Sequence, residues 1–212
     1  MSVVLYGSQS TASLVVHWLL IELGIGHELR QLDFDRREQK SPEYLALNPA
    51  GRVPTLVIDG QVLTESAAIA MHLADLYPQA GLAPAPGTPA RGDYYRWMCF
   101  CVYTLMPQYR AWFYPDEPAG PEHVEAVKER ARAALEAAWQ QVADHLQRNG
   151  GPYMLGGQRT AVDFVLTMLM RWSRNMPRPT DSWPVLQDYA RRMKSLPSFA
   201  EVYRREGITD WT

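Results

Sequence analysis

Glu65 and Ser66 follow an Asp59-Gly60 turn and open the run Ala67-Ala68-Ile69-Ala70-Met71. A helix start presents unpaired backbone N–H groups and favours negative charge. Those N–H groups and the Ser66 hydroxyl suit a carboxylate, while Glu65 supplies the counter-charge for an ammonium. The pair therefore fits a ligand that carries both groups. Upstream, Val53-Pro54 opens the strand formers Thr55, Leu56, Val57 and Ile58. Proline cannot donate to a sheet ladder, so it belongs at a strand start, where a cis peptide bond is an option. That placement leaves the main chain of Val53 facing outward, and an unpaired N–H and C=O at a sheet edge bind a peptide backbone as an added strand.

A second group of polar side chains, Ser8, Ser10, Thr11 and Ser13, precedes an apolar helix that begins near Leu14. At least one of these hydroxyls faces the open first-turn N–H groups. All four also suit plain capping.

The elements that must hold these residues alternate up to about residue 80. A strand at Val3–Tyr6 leads to a helix at Thr11–Leu23, an alternating run His27–Phe34 and a short helix at Pro42–Leu47. Strands at Thr55–Ile58 and Gln61–Leu63 and a helix at Glu65–Tyr77 complete a β-α-β-α-β-β-α order, that of a thioredoxin-like domain. Pro78, Pro84, Pro86 and Pro89, with Gly81 and Gly87, mark a linker. The expected organisation is a ligand-binding domain over 1–78, a linker over 79–89 and an all-helical domain over 90–212.

In the second half, Ala90–Phe113 carries apolar and aromatic residues at helical spacing, with Pro107 kinking or ending its regular part. Glu122–Arg148 is amphipathic and stops at Gly150-Gly151. Thr160 and Asp163 form a capping box ahead of a third apolar helix, a structural feature rather than a catalytic one.

Composition narrows the function. A net charge of −2 without a Lys/Arg block gives no electrostatic footprint for nucleic acid. The longest apolar stretch, Leu14 to Leu23, is broken by His17 and Glu22 and falls short of a membrane span. The N-terminus enters a strand without a signal-peptide pattern, which places the expected location in the cytoplasm. Cys99 and Cys101 are two apart on a helix and point in different directions, so they read as separate reduced thiols. The five histidines show no ligand spacing, and no metal site is expected.

Val53-Pro54 followed by Glu65-Ser66, after Leu5-Tyr6-Gly7-Ser8-Gln9-Ser10, resembles the glutathione-binding half of the cytosolic glutathione transferases. The capped helix at Thr160–Asp163 resembles the helical half of the same superfamily, so the likeness spans nearly the whole chain. It implies that Val53 and Pro54 hold the cysteinyl backbone of glutathione, that Glu65 and Ser66 hold its γ-glutamyl end, and that Arg52 meets its glycine carboxylate. In serine-type members of the theta and zeta kinds the activating hydroxyl falls at Ser10, with Ser13 three residues on. In tyrosine-type members it falls at Tyr6. The cysteine of beta-type bacterial enzymes falls at Ala12, which forms no mixed disulfide, and their helical-domain histidine falls at Met106, which inherits no role.

The resemblance further implies an enzyme that activates the glutathione thiol for attack on a small hydrophobic electrophile, as a homodimer engaged in detoxification. Walls for the electrophile are expected from the loop after the first strand and from the first helical-domain helix, through Tyr103, Met106, Tyr109, Arg110, Trp112 and Phe113. The same stripe equally suits core packing. Glutathione-dependent isomerisation, disulfide or peroxide reduction, and a non-catalytic binding module remain as alternatives.

Overall fold

The computed structural model describes residues 2–212, and its contacts divide the chain into two compact units. One comprises the chain up to Ala83 together with Lys194–Asp210, and the other comprises Pro84–Met193 with Trp211.

The first unit contains β1 (Val3–Gly7), α1 (Ser13–Glu22), β2 (Glu28–Gln31), α2 (Pro42–Leu47), β3 (Thr55–Ile58), β4 (Gln61–Thr64) and α3 (Ser66–Leu76). This is the thioredoxin-like order expected from the sequence. The sheet runs β2-β1-β3-β4, with β1 parallel to β2 and the other pairs antiparallel. Period-two alternation buries Val3, Leu5 and Gly7 of β1 on one face. A β-carbon on Gly7 would lie 2.6 Å from Ser13 Oγ, so only glycine allows the following turn to fold back this closely. Strand β2 is shorter than the expected His27–Phe34. Asp33 Oδ1 accepts from the amides of Asp35 and Arg36 at 2.9 and 3.0 Å, which turns the chain out of the ladder.

Every residue of α1 from Ser13 to Leu20 is buried. A helix apolar on all sides needs cover on all sides. Helix α3 packs on it within the unit, and so does α9 (Pro197–Glu206) from the far end of the chain. Trp18 Nε1 donates to Ser198 Oγ at 2.9 Å, and His17 Nδ1 meets Glu206 Oε1 at 2.8 Å. The segment expected to close the helical domain therefore groups with the first unit instead.

The second unit is helical. Its first helix, α4 (Pro89–Phe100), starts with Thr88 as cap and proline in the first turn. The regular spiral widens into a π segment over Cys101–Leu105 before α5 (Met106–Phe113). Pro107 offers no N–H and its ring would crowd the carbonyl of Tyr103 in a tight helix, and the wider turn accommodates both effects. Helices α6 (Val124–Arg148), α7 (Ala161–Trp172) and α8 (Pro184–Lys194) follow. Helix α7 is buried from Ala161 to Arg171.

Candidate functional site

The Val53–Pro54 peptide is cis. Pairing of β3 begins at Thr55, opposite Tyr6 of β1 and Thr64 of β4, so Val53 lies past the end of both ladders. The loop is fixed from behind. The carbonyl of Arg52 accepts from Tyr44 Oη at 2.7 Å and from Asn48 Nδ2 at 2.8 Å, and both of those groups also meet Thr55 Oγ1. Tyr44 and Asn48 are buried, and desolvation raises the Tyr44 phenol above its ordinary range, which keeps it a neutral donor. Sequence reasoning passed over both, although an Asn-Pro pair next to the strand-opening proline was a signal for a side-chain-supported turn.

Glu65 caps α3 with φ 68° and ψ 107°, a conformation an L side chain seldom adopts. Its side chain makes no capping bond and is exposed, while Ser66 is 6% exposed at the first helical position. The carboxylate of Glu65 thus stands exposed at a strained helix start and gives no capping bond to its own helix.

On the same unit, Lys40 Nζ donates to Ala50 O at 3.1 Å, and a β-carbon on Gly51 would lie 2.6 Å from that ammonium. Lys40 and the exposed Arg52 thus bring two cations to one loop. Only Arg52 was singled out from the sequence.

The hydroxyl cluster sorts by position. Ser13 is 1% exposed, and its Oγ accepts from Ser8 N at 3.1 Å while facing Ser8 O and Thr11 Oγ1. Thr11 Oγ1 donates to Ser8 O at 2.7 Å. Ser13 and Thr11 are both tied into the turn, which gives Ser13 a structural part here. Ser10 sits at the apex with φ 63°, left-handed and half-buried. Tyr6 is half-buried on the sheet face opposite Leu5, its ring 5.6 Å from that of Tyr44 and its hydroxyl accepting from Arg30 at 2.9 Å.

In the second unit, Tyr109 is fully buried, accepts from Trp139 Nε1 at 3.1 Å, and has its phenol raised by burial. It is a core residue, which removes its hydroxyl from the expected pocket wall. Phe113 stacks on it and is 48% exposed, and Trp172 meets both rings edge-on. Arg110 lies over Tyr114 and forms a two-point pair with Glu117. Tyr103 is 77% exposed and Met106 half-buried. Cys99 is exposed, Cys101 is buried with its thiol raised by desolvation, and both are free. Among the described residues no group of His, Cys, Asp and Glu has a metal-binding arrangement, and no helix is long and apolar enough to cross a membrane.

Residues 1–75 match the family described as glutathione S-transferase, N-terminal domain, and residues 125–192 match the glutathione S-transferase C-terminal domain. Glutathione S-transferase GST-4.5 of Xanthomonas campestris is 31% identical over 208 residues, covering 96% of this chain and 98% of that protein. The ternary complex of BphK, a bacterial transferase, superposes with a TM-score of 0.86 at 33% identity over 97% of this chain and all of that one. A transferase homologue from Sulfitobacter, solved with bound glutathione, gives a TM-score of 0.88 at 26% identity over 98% of this chain and 99% of that one. The chain belongs to the glutathione S-transferase family.

Proposed function

We propose that this transferase binds glutathione on its first unit and ionises the thiol beside Ser10 for attack on a small hydrophobic electrophile. The observation that carries the reading is Glu65, exposed and held at positive φ directly before the open amides and Ser66 hydroxyl of α3. The γ-glutamyl end of glutathione bears an ammonium and a carboxylate, which match Glu65 and the helix start respectively. The cysteinyl amide extends along the unladdered main chain of Val53, and the glycine carboxylate meets Arg52 with Lys40 beside it.

A free thiol has a pKa near about 8.5 and is only a few per cent ionised at neutral pH. Making thiolate the major form takes a shift of roughly two units, or about 2.7 kcal/mol. A hydroxyl donated to the charged sulfur supplies about 1.5 kcal/mol, and the N-terminus of α1 up to about 1 kcal/mol. Ser10, in the turn before α1, is the hydroxyl that this arithmetic calls for; Tyr6 is already engaged by Arg30. The thiolate then forms a C–S bond, and the displaced group leaves with the bonding electron pair. A homodimer working in cytoplasmic detoxification completes the proposal, with light scattering as the check on assembly.

The test is a titration of thiolate absorbance for bound glutathione, together with turnover of a panel of electrophiles. Ser10→Ala should raise the bound thiol pKa by about one unit, one hydrogen bond to a charged acceptor, with affinity hardly changed. An unshifted titration in Ser10→Ala with a shift in Tyr6→Phe would transfer the role to Tyr6. Absence of turnover with every electrophile would overturn the enzymatic reading.

A further inference from the structure

Ser10 is held in a left-handed conformation that a β-carbon disfavours, so its neighbours on both sides must impose it. One tie is local, the knot of Ser8, Thr11 and Ser13. The other crosses almost the whole sequence. Gln9 Nε2 donates to the main-chain carbonyls of Glu206 and Gly207 at 2.7 and 3.2 Å.

Those carbonyls are open because of how α9 ends. Gly207 takes φ 65°, its N–H bonds to Arg204 O at 3.4 Å, and Ile208 N–H reaches Tyr203 O at 2.9 Å. This closure satisfies carbonyls one turn back and leaves the last ones without helical partners. The amide of Gln9 fills that gap. The same helix end is fixed to α1 by the buried His17–Glu206 contact, 0% and 2% exposed at the side chains. Ser10 therefore sits between a residue bound to the end of α9 and a turn bound to the start of α1.

We infer that Gln9 is a positioning residue for thiol activation: by capping the end of α9 it fixes the backbone that presents Ser10, so the C-terminal helix acts on the reaction without touching substrate. The inference rests on the assignment of Ser10 above. Its effect cannot exceed that of the Ser10 hydroxyl itself, because it acts only through that group.

The variants are Gln9→Met, of equal length without a donor, Gln9→Lys, which keeps a donor, and Ser10→Ala alone and combined with Gln9→Met. Each is titrated for bound-thiolate absorbance and assayed with glutathione and chlorodinitrobenzene. Gln9→Met should raise the thiol pKa by about half a unit and lower kcat about threefold at neutral pH, with KM for glutathione within about twofold. Gln9→Lys should restore most of both, and Gln9→Met should add nothing in the Ser10→Ala background. A merely structural role would alter the melting temperature without moving the titration. If Ser10→Ala shifts the titration and Gln9→Met does not, the inference falls while the assignment of Ser10 stands. If Gln9→Met shifts it as much in the Ser10→Ala background as alone, the tether acts on main-chain amides and the inference as stated is overturned. If Ser10→Ala shifts nothing, the assignment of Ser10 falls first. Gln9→Glu, which keeps the shape and turns donor into acceptor, should give at least the shift of Gln9→Met and serves where that variant folds poorly.

Discussion

Two helices of this protein begin with a hydroxyl residue and an acidic residue, and they use them in opposite ways. At the start of α7, Asp163 is fully buried and its carboxylate accepts from the amides of Met154 and Thr160 and from the hydroxyls of Thr160 and Tyr189. The capping box is complete. At the start of α3, Glu65 is exposed, strained and bound to no amide of its own helix, and Ser66 lies just inside. The same two residue types close one helix end and leave the other open. Closure serves stability, and the open end is where the proposed glutathione brings its own charges.

The contrast is broken most sharply at Asp163. Asp163→Ala strands buried amides and a tyrosine hydroxyl without an acceptor, a loss of about 3–5 kcal/mol by the cost of breaking a buried charged network. Urea unfolding measures it, and a change under about 1 kcal/mol would show that the closed end does not carry the stability assigned to it. Glu65→Ala should do the reverse. Its unfolding free energy should stay within about 0.5 kcal/mol, as for an exposed side chain without partners. Glutathione affinity should fall about tenfold or more, the worth of a charge-assisted contact to the ammonium. Calorimetry with unchanged affinity would remove Glu65 from the site.

How far this contrast was legible in advance depends on what each residue leans on. The limits of α2 and β3 were readable to the residue, because Ser41-Pro42 and Val53-Pro54 are strong local punctuation. The places of Val53, Glu65 and Ser66 at a strand start and a helix start were legible for the same reason, because the sequence marks both ends. The placement of α9 was not. Nothing local in Pro197–Glu206 says which unit it covers, although the apolar residues on every side of α1 already required cover on a further side. Gln9, Lys40, Tyr44 and Asn48 escaped notice because each acts on a main-chain carbonyl distant or displaced in sequence. Ser13 and Tyr109, both candidates by residue type, are buried and hydrogen-bonded within the fold. Residue type alone does not tell a hydroxyl free to meet a ligand from one spent on its own fold.

The hydroxyl partners give a smaller version of the same comparison. Thr160→Ala loses its bonds within the box and should cost about 1 kcal/mol, the usual worth of such a cap. Ser66→Ala should cost under about 0.5 kcal/mol and instead weaken glutathione binding. Equal unfolding midpoints for the two variants would erase the distinction between a closed and an open helix start.

The smallest effect is the most diagnostic, because its sign is at stake. Glu65 occupies φ 68° and ψ 107°, where a β-carbon is penalised and glycine is not. Relief of that strain is worth about 1–2 kcal/mol, and the extra freedom of glycine in the unfolded chain takes back about 0.5–1 kcal/mol. Glu65→Gly should therefore be more stable than Glu65→Ala by about 0.5–1 kcal/mol. It should bind glutathione no better than Glu65→Ala, since both lack the carboxylate. Such a result would mean that this position carries a standing strain for the sake of its charge. A glycine variant less stable than the alanine variant would mean that the backbone at Glu65 is relaxed and that this helix start stores no strain for a ligand.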